Sequence, residues 1–185
     1  LLAAAPVVRN EDSRPAVLLA LGLAQEPRAA VLAHAALEHG ASPRERAYAA
    51  TTLALLGGAA NRASLRERFA LERSGFVRAS LAQGLAVLGD ASDVPTLFAA
   101  LRGLAERGLQ AVTAAALGQL GSASALSGLD ELVVDGASAL VRATALDALG
   151  VLLERGEPLV LPDASRGANF ALYEDWAFEL FLLAL

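Results

Sequence analysis

Residues 81–89 read Leu81-Ala82-Gln83-Gly84-Leu85-Ala86-Val87-Leu88-Gly89, and the leucine at their centre recurs every thirty-two residues, at Leu21, Leu53, Leu85, Leu117 and Leu149. Five copies keep that register without a gap. Four residues before each leucine stand Val17, Ala49, Leu81, Thr113 and Ala145; one before, Ala20, Thr52, Gly84, Ala116 and Ala148; three after, Ala24, Leu56, Leu88, Leu120 and Leu152. Offsets of minus four, zero and plus three share one side of a helix. Each copy therefore predicts an amphipathic helix with its leucine turned inward. The small residues beside the leucine let a neighbouring helix approach closely. Gly57, Gly89 and Gly121 close three of the copies, where a left-handed helix stop costs glycine little.

A second apolar stripe runs with the same period: Leu1, Ala33, Leu65, Leu97 and Leu129, with Ala5, Leu37, Phe69, Leu101 and Val133 four residues later. It predicts a partner helix in each copy. Pro15, Pro27, Pro43 and Pro95 stand near expected helix starts, where a missing amide is no loss. Ser42 with Glu45 has the spacing of a capping box. Two helices per thirty-two residues form a hairpin that cannot bury both of its faces alone, so hairpins must stack. The expected fold is all-α, an α-solenoid with a 32-residue period.

The run Val77-Arg78-Ala79, then Leu85-Ala86-Val87-Leu88-Gly89-Asp90, then Val94-Pro95-Thr96-Leu97 to Leu101 resembles a HEAT repeat of the short bacterial kind named after phycobilisome lyases. The third copy matches that pattern best, and the resemblance covers nearly the whole chain. It implies a right-handed superhelix of about five to six HEAT-like hairpins, with the second helix of each lining the concave side. It implies little about activity, because such repeats serve lyases, hydroxylases and many pure scaffolds.

The ends follow from the register. Leu1 falls in the middle of a first helix, so residues 1–155 are expected to be a repeat array whose first repeat is truncated, with more sequence upstream. Residues 156–185 are expected to belong to the same domain. Pro158, Pro162 and Gly167 predict an irregular loop over 156–169, and Tyr173, Ala177, Phe181 and Ala184 regain the repeat columns in a closing helix over 173–185.

Composition excludes several chemistries. Hydrophobic residues make up 55% of 185 residues, ample for one continuous core. The uncharged stretch Gly108–Leu129 is interrupted by Gln110, Thr113, Gln119 and three serines, so it predicts two helix segments and no transmembrane span. All fifteen basic residues are arginine; lysine, isoleucine, cysteine and methionine are absent, a bias that points to a GC-rich bacterial source. Without lysine there is no phosphate-loop lysine, Schiff base or pyridoxal site. Without cysteine there is no thiol nucleophile or thiolate metal site. His34 and His39, five apart, diverge by about 140° on a helix and do not converge on a metal. We expect no catalytic residues, no metal and no cofactor. With no visible signal peptide, the cytoplasm is favoured for a soluble chain; the periplasm or secretion stays open if a signal peptide preceded this stretch.

Two enzyme families share the expected scaffold. Di-iron deoxyhypusine hydroxylases carry paired His-Glu motifs, whereas the one adjacent pair here is reversed, Glu38-His39. HEAT-like alkylpurine DNA glycosylases present a basic wall with aromatics, whereas this chain has a net charge of -5 and its single tryptophan, Trp176, lies near the C-terminal end. Phosphate binding favours the opposite charge, so no nucleic-acid partner is expected.

The expected binding face lies on the leucine helices. Seven residues before each leucine stand Arg14, Arg46, Arg78, Gln110 and Arg142, a column able to grip carboxylates or phosphates or, alternatively, to hold neighbouring repeats together. Gln83, Gln119 and Asp147, with Thr51, add polar positions among Leu18, Leu19, Leu23, Leu55, Val87, Leu146 and Val151, a mix suited to a peptide or a helix. Tyr173, Trp176 and Phe178 form a possible docking patch, five of nine aromatics falling within the last sixteen residues. Residues 1–110 carry twelve arginines against ten acids, and 111–185 three against ten. The cluster Arg62, Arg66, Arg68, Arg73 and Arg78 with Glu67 and Glu72 is expected to be an exposed helix face with intrahelical ion pairs. The function expected is a non-catalytic scaffold or adaptor for a protein or peptide partner. Two alternatives are an accessory subunit of a lyase or modification enzyme and a purely structural array within a larger secreted or envelope protein. The oligomeric state is not legible.

Overall fold

The computed structural model describes residues 13–154, and among them every regular element is helical. The helices are α1 (Ser13–Leu23), α2 (Ala29–His39), α3 (Pro43–Leu56), α4 (Ala59–Leu71), α5 (Gly75–Leu88), α6 (Val94–Gly103), α7 (Arg107–Leu120), α8 (Leu126–Asp135) and α9 (Ala139–Glu154). Helices α1, α3, α5, α7 and α9 carry the recurring leucines and pack side by side, each against the next. Helices α2, α4, α6 and α8 each lie against the leucine helix that follows. The fold is an all-α helical array. The expected half-helix around Leu1, the loop over 156–169 and the closing helix over 173–185 lie outside the described residues.

The leucine column is the core. Leu21, Leu53, Leu85 and Leu117 are buried, as are Ala33, Leu65, Leu97 and Leu129 of the partner column with Leu37, Phe69 and Leu101 beside them. Leu149 is only half-buried. It sits on α9, which has α7 and α8 as its close neighbours among the described elements.

Close helix approach follows from the small columns. A Cβ added at Gly22 would lie 3.1 Å from the Thr52 Cα, one at Gly84 3.3 Å from the Ala54 Cβ, and one at Gly118 2.6 Å from the Ala148 Cα. At each of these seams the residue after the leucine in one copy meets the residue before the leucine in the next.

Helix ends recur as well. Ser42, Ser74 and Ser138, spaced at thirty-two or sixty-four residues, accept from the amides of Glu45, Val77 and Val141 at 3.1, 3.5 and 3.2 Å. The Glu45 carboxylate reaches back to the Ala41 amide at 3.1 Å, completing the reciprocal cap foreseen for Ser42 and Glu45. Gly57, Gly89 and Gly121 have φ of 69°, 68° and 71°. In the first copy the same position is Gln25, with φ 52°, and its side-chain amide donates to the Leu55 carbonyl at 2.8 Å. That bond to the neighbouring copy offsets the backbone strain a non-glycine residue meets there.

Candidate functional site

The arginine column lies close in angle to the leucine side of its helices, with Arg46, Arg78 and Gln110 half-buried and Arg14 and Arg142 exposed. An offset of minus seven from the leucine is only about 20° away around an α-helix, whereas Gln83 and Asp147, two residues before their leucines, are about 160° away. The two sets do not share a face. Arg46 donates to the Gly40 carbonyl at 3.0 Å, Gln110 to the Leu104 carbonyl at 2.7 Å and Arg142 to the Gly136 carbonyl at 3.1 Å. Each acceptor lies six residues earlier and is the residue that ends the preceding partner helix. Arg46, Gln110 and Arg142 thus fasten the turns ahead of α3, α7 and α9, each occupying a carbonyl that the helix itself leaves open. Arg14 adds a 3.5 Å pair with Glu45 of the next copy, and the Arg78 guanidinium stands 5.4 Å above the Phe69 ring.

The segment expected to be a solvated charged face instead ties copies together. Arg66 donates to Asp93 at 2.6 Å, and Arg62 pairs with Asp90 and lies 3.5 Å from Asp93. Asp93 is fully buried. One copy earlier the same positions are His34 and Asn61, bonded at 3.0 Å. One copy later they are Phe98, whose ring fills the space beside Gly128, and the buried Ala125. A single junction is therefore built three ways: amide with imidazole, ion pair, and ring on glycine. Arg68 and Glu72, the residue that caps the end of α4, do form the expected pair four residues apart, at 3.0 Å. Glu72, however, is buried and accepts also from Arg46 at 3.0 Å and from the amides of Arg73 and Ser74 at 2.9 Å. Burial alone would raise its pKa, but the Ser74 amide, Arg46 and Arg68 outweigh it and hold the carboxyl at about 2.

What remains open is the side of the leucine layer away from the partner helices. Leu23 and Val87, both two residues after a recurring leucine, are 64% and 61% exposed. Leu55 and Val151 in the same column are half-buried, and Gln119 is exposed. Thr51 and Gln83 are half-buried and Asp147 exposed, so the structure brings these polar positions alongside the apolar column. Leu18, by contrast, is core. The Asp147 carboxyl has a raised pKa, first from partial loss of solvent and then from the Glu154 carboxylate. A cleft of about 450 Å³ between α1, α2 and the start of α3 is lined by Arg14, Val17, Leu32, His39 and Glu45. Arg14 and Glu45 are paired with each other there, and most of the remaining lining is apolar, so it offers an apolar recess more than a polar site.

Among the described residues no three His, Asp or Glu side chains are grouped to hold a metal ion. No described helix is long and apolar enough to cross a membrane. Tyr173, Trp176 and Phe178 lie outside the described residues. No family model, curated protein or solved structure matches the chain. The functional reading therefore rests on the geometry above.

The serine caps at 74 and 138 and the junctions at 61 and 93 are the side chains that the sequence reading did not single out. Stepping by thirty-two from Ser42 reaches Ser74 and, past Glu106, Ser138. The junctions leave no such trace, because the residue type changes from copy to copy.

Proposed function

We propose that this array is a right-handed, HEAT-like α-solenoid that acts as a non-catalytic scaffold, binding a polypeptide across the open face of its leucine helices. The observation that carries the reading is the exposed apolar column of Leu23 and Val87, continued by Leu55 and Val151. Large apolar side chains in register over successive copies favour an apolar partner surface. Neighbouring helices pack about 8–10 Å apart, and residues seven apart on an α-helix are separated by about 10.5 Å. The matching partner is an amphipathic helix with apolar residues at seven-residue intervals, laid across the layer. Asp147 and Glu154 at the α9 end favour a basic end of that helix there. The arginine column supports the face by fixing its hairpins and is not itself the contact surface.

The test is a comparative capture of polypeptides from the native host with three forms of the full chain: unchanged, Leu23→Glu with Val87→Glu, and Val31→Glu. Val31 is 74% exposed but lies on partner helix α2. A polypeptide retained by the first and third forms and lost by the second supports the reading. An identical captured set for all three, or loss with Val31→Glu alone, overturns it.

A further inference from the structure

We infer that Arg68, Arg73 and Arg78, gathered where α4 ends and α5 begins, form a binding site for a phosphate dianion. Arg78 is the member of the arginine column that does not fasten its turn. Arg46, Gln110 and Arg142 each donate to the carbonyl six residues earlier. The Arg78 guanidinium instead stands 5.4 Å above the Phe69 ring, and its buried Nε has no hydrogen-bond partner among the described residues. A ring beneath the planar cation holds it by its face and leaves the donors on its edge free. Arg78 is half-buried, so its charge is partly desolvated, and only an opposite charge offsets that cost.

Two further guanidinium groups stand at the same turn. Arg68, the residue before Phe69, gives one bond to Glu72, and its Nε too is buried with no partner among the described residues. Arg73 is exposed, and its contact with Glu72 is through the backbone amide. Glu72 accepts from Arg46, Arg68 and the amides of Arg73 and Ser74. A carboxylate offers about four lone-pair positions, so Glu72 has none left for the guanidinium groups of Arg73 and Arg78. Glu67, exposed and about 100° around α4 from Arg68, does not join them. Four arginines thus surround one saturated carboxylate. A ligand carboxylate matches a single guanidinium fork, whereas three unmatched forks favour a doubly charged tetrahedral oxyanion. Because Arg73 is exposed, the site opens to solvent and admits a phosphate carried on a larger molecule. It lies away from the open face of the leucine helices and is independent of the polypeptide reading.

The test is calorimetric titration of the full chain, at constant ionic strength, with inorganic phosphate, a short phosphoserine peptide, its unphosphorylated form, and acetate. Saturable binding of the phosphate-bearing probes is expected. It should weaken about tenfold in Arg78→Gln and in Arg73→Gln, as loss of one charge-assisted hydrogen bond implies. In Arg142→Gln, whose guanidinium is engaged by Gly136, it should be unchanged. The exposed Arg73 guanidinium takes part in no ion pair among the described residues, so weakened binding in Arg73→Gln is not a loss of structure. Tighter binding of the phosphopeptide marks a phosphorylated partner as the source; comparable or weaker binding marks the free ion. No saturable binding of either phosphate probe, acetate or the unphosphorylated peptide binding as tightly, or equal weakening in Arg142→Gln overturns the site. Phosphate is also expected to raise the unfolding midpoint of the unchanged chain and not that of Arg78→Gln. An equal rise in both overturns it as well.

Discussion

Glu72 shows how far a single charged side chain departs here from a solvated surface role. It accepts from Arg46, Arg68 and two backbone amides while its side chain is only 4% exposed. Its pKa of about 2 in the fold lies below the ordinary 4.5. A depressed carboxylate contributes its full stability above the unfolded value, so that contribution is lost as pH falls from about 4.5 towards 2. Glu72→Gln is expected to lower stability at pH 7 by up to about 3 kcal/mol and to flatten the acid limb between those pH values. Chemical denaturation at stepped pH checks this; parallel acid limbs for both proteins would contradict it. Tyr48 is the opposite case, a buried residue whose hydroxyl has no hydrogen-bond partner among the described residues. An unsatisfied buried hydroxyl costs about 1–3 kcal/mol. Tyr48→Phe is therefore expected to leave the unfolding midpoint unchanged or raised, and a clear fall would show that the hydroxyl has a partner.

At the scale of the helix, the decisive contacts are between backbones. Gly118 lets α7 approach Ala148 so closely that an added methyl would have nowhere to go. Gly118→Ala should cost about 1–3 kcal/mol, the usual penalty of overpacking. Gly108→Ala on the same helix meets open space and should be neutral or mildly stabilising. Equal effects of the two, measured as unfolding midpoints, would argue against the tight seam. Helix order and type were legible because periodicity of apolar and small residues is a local signal, and so were the glycine stops and the cap at Ser42. The short 3-10 turns before α6 and α8 were not. They arise where Asp90 and Ser122 accept from the amides of Ser92 and Ser124, a bond that depends on backbone geometry and not on hydropathy.

For the molecule as a whole, the array was readable because each copy solves the same burial problem, while the site was readable only in part. Arg46 and Arg142 look like surface charges as residues, and a helical wheel alone places them near the leucine face. That their acceptors are the carbonyls closing α2 and α8 depends on where a turn lies in space, which no spacing encodes. The exposed column of Leu23 and Val87 was visible as apolar residues but not separable from core until the packing was known. Leu85 stands in the central copy and is fully buried, so Leu85→Ala should cost about 2–5 kcal/mol, as for buried leucines generally.

Equivalence of the copies is most directly tested by removing one whole period. Deleting residues 75–106 joins Ser74 to Arg107 and preserves the register of every remaining leucine; deleting residues 75–90 breaks it. Circular dichroism melting of both proteins should show a shorter array with undiminished helicity per residue and cooperative unfolding for the first, and loss of cooperative unfolding for the second. Collapse of the in-register deletion, or equal tolerance of both, would contradict a fold built from interchangeable thirty-two-residue hairpins.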